Sequence, residues 1–277
     1  MNNQLKTILL LAALTSILLF IGSFFGRGGL LIGFIFALLM NVGSYFFSDK
    51  LVLAMYRARD APQTHYADLH RSVEKIAQEA GIPKPRIVII PTPGSNAFAT
   101  GRNPKHAVVA VTEGIMKLLS KHELEGVLAH EIAHIKNRDI LIATIATTLA
   151  SVISYISHFA YFIPLNRDNN GHSNILHLLV LMIVAPIAAM IIQLAISRSR
   201  EYLADASGAK YIQNGKPLAD ALRKLELDSK RRPLLFGNEA TASLFIVNPF
   251  SGRAFINLFS THPPMHVRIQ KFDALRF

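Results

Sequence analysis

The chain has 277 residues, 51% of them hydrophobic, and no cysteine. This composition predicts an integral membrane protein and excludes both a cysteine nucleophile and a cysteine-based metal site. Lysine and arginine total 29 against 18 aspartate and glutamate residues, giving a net charge of +11. Because the basic residues are scattered and no aromatic-rich recognition motif accompanies them, this charge does not indicate nucleic-acid binding.

Four uncharged apolar segments are long enough to cross a bilayer. They are residues 8–25, 28–47, 140–162 and 174–196. The first two predict a hairpin in an N-terminal domain, residues 1–47, with Gly26-Arg27-Gly28-Gly29 as its turn. The last two predict a second hairpin in residues 140–197. A cleaved signal peptide is rejected, because no small-residue cleavage site follows the first segment and a second span begins almost at once.

Two basic blocks, residues 48–139 and 198–277, lie outside these spans. Each contains 13 of the 29 lysines and arginines, whereas the short turns hold only Arg27 and Arg167. The positive-inside rule therefore predicts that both blocks and the N-terminus are cytoplasmic. We expect a multi-pass α+β membrane protein with four transmembrane helices in the lipid bilayer and a cytoplasmic domain formed by the two blocks.

The basic blocks combine helix and strand patterns. The predicted elements are helices at 68–80, 113–119 and 217–227 and strands at 86–90 and 106–112, with 96–100 as either a third short strand or a loop. Ser120, followed three residues later by Glu123, predicts a capping box that opens a further helix. We expect that helix to continue towards the third span.

His130-Glu131-Ile132-Ala133-His134 lies on this capped helix. Positions i and i+4 share a helix face, so both imidazoles can bind one Zn²⁺ while Glu131 acts as general base for the water that the ion activates. The alternative is an amphipathic helix that carries two unrelated histidines, since the apolar residues around the motif have helical periodicity. The motif predicts a zinc metalloprotease.

A zinc hydrolase site needs a third protein ligand. Glu201 and Asp205 are again four positions apart, so one helix can present Glu201 as that ligand and Asp205 as the acceptor for the ring N–H of a zinc-bound histidine. The alternative is that these charges only anchor the end of a transmembrane helix. Two membrane crossings separate His134 from Glu201 and return the chain to its starting side, which predicts one Zn²⁺ per chain shared by both helices.

Several segments together resemble the HtpX family of heat-shock membrane zinc metalloproteases, which is related to the CAAX prenyl proteases. The resemblance covers nearly the whole chain. Besides the two N-terminal spans, it rests on Ser95-Asn96-Ala97-Phe98-Ala99-Thr100-Gly101, Gly126-Val127-Leu128-Ala129-His130-Glu131-Ile132-Ala133-His134, Ser197-Arg198-Ser199-Arg200-Glu201-Tyr202-Leu203-Ala204-Asp205, and Thr261-His262-Pro263-Pro264 ahead of Arg268.

The resemblance implies a zincin-like cytoplasmic domain with zinc ligands His130, His134 and Glu201 and with Glu131 as catalytic base. It also makes His262 a candidate for stabilising the oxyanion of the reaction, with Arg268 as a second candidate. His262-Pro263-Pro264 is equally compatible with a rigid loop end. The implied location is the bacterial inner membrane, and the implied role is quality control and stress response.

Residues 96–99, beginning at Asn96, could offer a strand edge to which an extended polypeptide substrate adds. Because such pairing uses the backbone, it suits a protease that cleaves misfolded or damaged membrane proteins on the cytoplasmic side. Three rival functions remain. An inactive scaffold or chaperone would not need Glu131, a transporter or sensor would be expected to carry charged residues inside its spans, and a prenyl-protein protease would need more than four spans.

Overall fold

The structure is a computed structural model and describes residues 3–23, 26–160, 198–231, 244–247 and 263–273. The elements in chain order are α1 (Asn3–Ser23), α2 (Gly26–Met55), β1 (Arg59–Asp60), α3 (Ala67–Ala80), β2 (Arg86–Ile90), β3 (Ala97–Gly101), a 3-10 turn (Pro104–His106), β4 (Ala107–Thr112), α4 (Glu113–Leu118), α5 (Lys121–Lys136), α6 (Ile140–Ala160), α7 (Arg198–Tyr211), α8 (Lys216–Arg231) and α9 (Met265–Asp273). The predicted fourth span, 174–196, lies outside the described residues.

The first two helices form a closely packed antiparallel pair. The Asn41 side-chain amide donates to Thr15 Oγ1 at 2.8 Å across the pair. A Cβ atom at Gly22 would lie 2.5 Å from the backbone oxygen of Gly29, so only glycine permits this helix contact. The predicted turn is displaced, because Gly26 already opens α2 with a φ of 70° and Arg27 follows it inside the helix.

The helix α2 has 30 residues and a length and composition sufficient to cross a membrane, and it meets both criteria alone among the helices of the described residues. Shorter apolar stretches occur at Leu5–Phe20 in α1 and at Ile140–Ala150 in α6. The predicted third span, 140–162, corresponds to α6 as far as the structure describes it.

A four-stranded mixed sheet precedes the HExxH helix in the chain. The strand order is β1-β2-β4-β3, with β4 parallel to β2 and antiparallel to β3. Residues 97–100 of the segment 96–100, which was predicted as a strand or a loop, therefore lie in the edge strand β3. All five residues of β3 are buried because α5 and α6 pack against it.

The central helix of the fold is α5, which packs against β3, β4, α3, α7 and α8. Its fully buried apolar residues are Val127, Leu128, Ile132 and Ile135. At Gly208, in α7, a Cβ atom would lie 2.9 Å from the backbone nitrogen of His130. Because Gly208 has no Cβ atom, α7 can contact the backbone of α5 beside the motif.

The predicted capping box opens α5, with Ser120 and Glu123 each accepting a hydrogen bond from the backbone N–H of the other. The expectation that this helix continues into the third span is wrong. It ends at Lys136, and Arg138 adopts a left-handed conformation with φ of 58° before α6 begins. The backbone N–H of Asp139 donates to the carbonyl of His134 and closes this turn.

Candidate metal centre

Two histidines and a glutamate from the HExxH motif lie together on α5. The Nε2 atoms of His130 and His134 are 3.1 Å apart, because one helical turn separates the two residues. His130 and Glu131 are 1% and 3% exposed, and the His134 side chain is 15% exposed. The motif is therefore held in the protein core, with His134 nearest to solvent.

Glu201, near the start of α7, completes the cluster. Its carboxylate oxygens lie 3.4 Å from His134 Nε2 and 3.7 Å from His130 Nε2. A tetrahedral zinc ion with bonds of about 2.0–2.1 Å separates its ligand atoms by about 3.3–3.4 Å. The spacing and the chemistry of these three donors therefore fit one Zn²⁺, and within the described residues this is the one group of histidine and acidic side chains close enough to hold a metal ion.

His130 has a carboxylate on the side of its ring that faces away from the cluster. Asp205 Oδ1 lies 2.9 Å from His130 Nδ1. Arg268, from α9, is fully buried and donates to both oxygens of Asp205, at 2.6 and 2.9 Å. Burial raises the pKa of Asp205, but the positive charge of Arg268 and these hydrogen bonds outweigh burial and lower it. Asp205 is therefore a charged acceptor that fixes the His130 ring.

His134 has an equivalent carboxylate, which the sequence motifs do not predict. Asp139 Oδ2 lies 3.1 Å from His134 Nδ1, and Asp139 Oδ1 lies 3.6 Å from Nε of Arg200. The one available signal was an acidic residue in the first turn after the HExxH helix. Both ring Nδ1 atoms thus face a carboxylate, which leaves both Nε2 atoms directed at the candidate metal position.

The surroundings of His130 and His134 shift the pKa values of the two rings in opposite directions. Burial lowers the pKa of His130 to about 4, against the opposing effect of the hydrogen bond that its ring donates to Asp205. Burial also disfavours charge on His134, but the Asp139 hydrogen bond and the carboxylates of Glu201 and Glu131 raise its pKa to about 9. The surrounding carboxylates therefore favour the charged form of His134, whereas burial favours the neutral form of His130.

Glu131 is a buried carboxylate that does not belong to the three donors. Burial raises its pKa to about 8; the His134 charge lowers it, Glu201 raises it further, and a hydrogen bond from the backbone of Ala99 opposes the rise. Burial and the Glu201 charge therefore outweigh the contacts that lower the pKa of Glu131. The Ala99 contact also links Glu131 to the edge strand β3.

The strand edge that was predicted to bind substrate already contacts another segment of the chain near its start. Ala97 directs its backbone away from β4, and its carbonyl accepts a hydrogen bond of 3.4 Å from the backbone N–H of Ile246. Asn96 is buried, and its side-chain amide donates to the carbonyl of Val247 at 2.7 Å. Residues 244–247, which we call the edge segment, therefore lie along β3. Asn96 contacts the edge segment and the Ala97 N–H.

The two remaining predicted residues differ in what the structure describes. His262 lies outside the described residues. Arg268 lies in α9, which begins directly after Pro264, and its Nη2 atom is 3.5 Å from the His130 ring. Its two short contacts are with Asp205, so its observed environment is that of a buried counter-ion.

The HExxH helix, the downstream glutamate and the adjacent buried carboxylate define a metallopeptidase. Residues 63–276 match Peptidase family M48, and the chain belongs to this family. It is 55% identical to "Protease HtpX homolog" of Pyrococcus furiosus over 273 residues, which cover 96% of this chain and 93% of that protein. It is 49% identical to the protein of the same name from Syntrophobacter fumaroxidans over 282 residues, which cover 99% and 100% of the two chains. The resemblance to the HtpX family is thereby confirmed.

The crystal structure of S. mikatae Ste24p has a similar fold, with a TM-score of 0.54 and 19% sequence identity. The alignment covers 98% of this chain and 65% of the Ste24p chain. At this identity the likeness concerns the fold alone, and the chain spans about two thirds of the length of that protein.

Proposed function

We propose that this HtpX-type protease is an integral membrane, zinc-dependent endopeptidase that cleaves misfolded or damaged membrane proteins on the cytoplasmic side of a bacterial inner membrane, in quality control and stress response. The observation that carries the proposal is the cluster of His130, His134 and Glu201 at zinc-ligand spacing, with the carboxylate of Glu131 beside it.

In the proposed mechanism, His130, His134 and Glu201 would hold the zinc ion. When bound, zinc supplies a Lewis acid that polarises the peptide carbonyl and favours deprotonation of the attacking water. Glu131 takes the proton of this water on its carboxylate and later donates it to the amine that leaves. We assign stabilisation of the oxyanion to His262, as the resemblance implies, and we give Arg268 the role of holding Asp205 charged against His130.

The proposed substrate is an extended polypeptide that pairs with the edge of β3. Support comes from the edge segment, since an extended stretch of this same chain already donates a hydrogen bond to Ala97 through Ile246. A substrate that uses Ala97 in the same way has to replace Ile246. Because backbone pairing requires no particular side chains, this mode suits unfolded segments of many sequences.

The test of this function combines metal analysis with proteolysis. We expect purified protein to contain one zinc per chain and to cleave casein, which lacks a stable fold, while a compact globular protein stays intact. Treatment with a zinc chelator should abolish cleavage, and added Zn²⁺ should restore it. Cleavage of casein by protein shown to be metal-free would contradict the proposal.

The proposed topology places the N-terminus and both basic blocks in the cytoplasm. Burial and then the positive charge of Arg200 lower the pKa of Lys6, near the start of α1, and the Asp139 carboxylate opposes this, which puts Lys6 near these two residues beside the metal centre. The apolar faces of α1 and α6 pack together through Leu10, Leu14, Ile142, Ile145 and Leu149. Both observations support a shared side for the N-terminus and the site.

Reporter fusions test this topology. We expect reporters fused after Ala80 and after Leu235 to report the cytoplasm and one fused within residues 168–172 to report the opposite face, because basic residues are retained on the cytoplasmic side. A reporter fused after Phe25, between the first two predicted spans, serves as the control for the first turn and should match the one in residues 168–172. Opposite locations for the fusions after Ala80 and Leu235 would exclude the shared site.

A further inference from the structure

The turn between α5 and α6 places a second buried carboxylate beside the metal centre. Asp139 is 6% exposed, and its Oδ2 atom lies 3.1 Å from Nδ1 of His134. In this geometry the His134 ring donates its Nδ1 proton to Asp139 when the ring is neutral. The lone pair of Nε2 then points at Glu201 and His130, as a metal ligand requires.

The backbone of Asp139 is fixed on both sides of the carboxylate. Its N–H donates to the carbonyl of His134 at 3.0 Å, and its own carbonyl accepts from Ala143 in the first turn of α6 at 3.2 Å. Arg138 provides the left-handed residue that makes this turn possible. Asp139 is therefore attached at once to the end of the HExxH helix and to the start of α6.

A third element supplies the counter-charge. Arg200 Nε lies 3.6 Å from Asp139 Oδ1, and the next residue along α7 is the ligand Glu201. The arrangement repeats that of His130, whose partner Asp205 is held by Arg268. Each histidine thus has a carboxylate on Nδ1, and each carboxylate has an arginine.

We propose that Asp139 is a positioning residue for the metal centre: it holds the His134 ring with Nε2 towards the metal, and Arg200 lies beside the Asp139 carboxylate as its counter-charge. This rests on the proposed zinc function. It adds that the metal affinity depends on the turn that joins the HExxH helix to α6. Asp139 acts through His134 and does not contact the substrate.

The experiment measures zinc affinity of the full-length protein in detergent by competition with a chromogenic chelator, for Asp139→Ala, Asp139→Asn and Arg200→Gln. Loss of a carboxylate behind a zinc-bound histidine typically weakens metal binding by about 10- to 100-fold, and we expect this range for Asp139→Ala. Asp139→Asn should fall between Asp139→Ala and the wild type, because the amide oxygen still accepts the Nδ1 proton. Arg200→Gln should show a smaller loss than Asp139→Ala.

Two further measurements separate positioning from a general effect on the fold. The melting temperature of each metal-free variant is followed by circular dichroism. Asp220→Ala, which removes a half-buried carboxylate of α8 that pairs with Lys216 and Arg223, serves as the matched control and should bind zinc like the wild type. The d–d absorption spectrum of the Co²⁺-loaded Asp139→Asn protein should differ from that of the wild type, since the His134 ring is held differently.

An affinity within twofold of wild type for folded Asp139→Ala would overturn the proposal. Should Asp139→Ala fail to fold, Asp139→Asn decides, and a wild-type affinity together with a wild-type cobalt spectrum overturns it. Absence of zinc binding by the wild-type protein itself would instead refute the proposed function. The two failures are therefore distinguishable.

Discussion

Replacing Glu131 with glutamine is expected to lower kcat/KM for casein hydrolysis by about 100- to 10,000-fold, the usual contribution of a general base, while one zinc per chain is retained. The amide keeps the shape of the side chain and can still contact the backbone of Ala99, but it cannot take a proton. Proteolysis of a fluorogenic casein and zinc content are measured on the same preparation.

Glu125→Gln is the matched control. Glu125 lies on the same helix, and its half-buried side chain accepts a hydrogen bond from the Ser72 hydroxyl. That variant should keep both activity and zinc. Loss of zinc from Glu131→Gln would make Glu131 a ligand, and retention of wild-type activity would remove it from the mechanism altogether.

The second large effect is expected from removing a metal donor. Glu201→Ala and His134→Ala should each lower zinc content well below one per chain and abolish proteolysis at ordinary zinc concentrations, because two donors alone bind zinc weakly. Zinc stoichiometry after dialysis against a weak chelator is the measurement. Unlike Glu131→Gln, these variants lose metal and activity together.

Glu79→Ala, at an exposed position of α3, is the control for the removal of a carboxylate. It should retain full zinc content. Full retention of zinc by either Glu201→Ala or His134→Ala would refute the assignment of His130, His134 and Glu201 as the ligand set.

The grouping of His130, His134 and Glu201 was predictable because helical periodicity determines which side chains share a face. Four-residue spacing brings the Nε2 atoms of His130 and His134 within 3.1 Å. The same spacing in α7 directs Glu201 at Nε2 of His130 and Asp205 at its Nδ1 atom. The sequence could also place α7 on the same side of the membrane as α5, although the two helices are far apart in the chain, because an even number of predicted membrane crossings separates them.

Asp139 was not predictable by the same rule. In a continuous helix, a residue five positions after His134 lies about 140° around the axis and points away from it. The left-handed residue Arg138 breaks the helix and returns Asp139 to the ring. Such a break has no periodic signal in the sequence, and the apolar residues that follow favour uninterrupted helix.

The contacts of Asn96 show a second limit of local patterns. Its partner Val247 is 151 positions away along the chain. Nothing in the sequence near β3 indicates that an edge strand is covered by a short apolar stretch from so far downstream. Predicting a strand edge is therefore possible from local alternation, whereas predicting what lies against it requires the tertiary fold.

The edge segment also affects whether copies of this protein can associate through their strand edges. An uncovered strand edge is a template for pairing with other chains and promotes self-association and aggregation. The backbone N–H of Ile246 donates to the outward carbonyl of Ala97, and the backbone N–H of Ala97 donates to Oδ1 of the Asn96 side chain. Both outward backbone groups of Ala97 are therefore already hydrogen-bonded within the chain, which leaves this residue unavailable for pairing with the strand edge of a neighbouring copy.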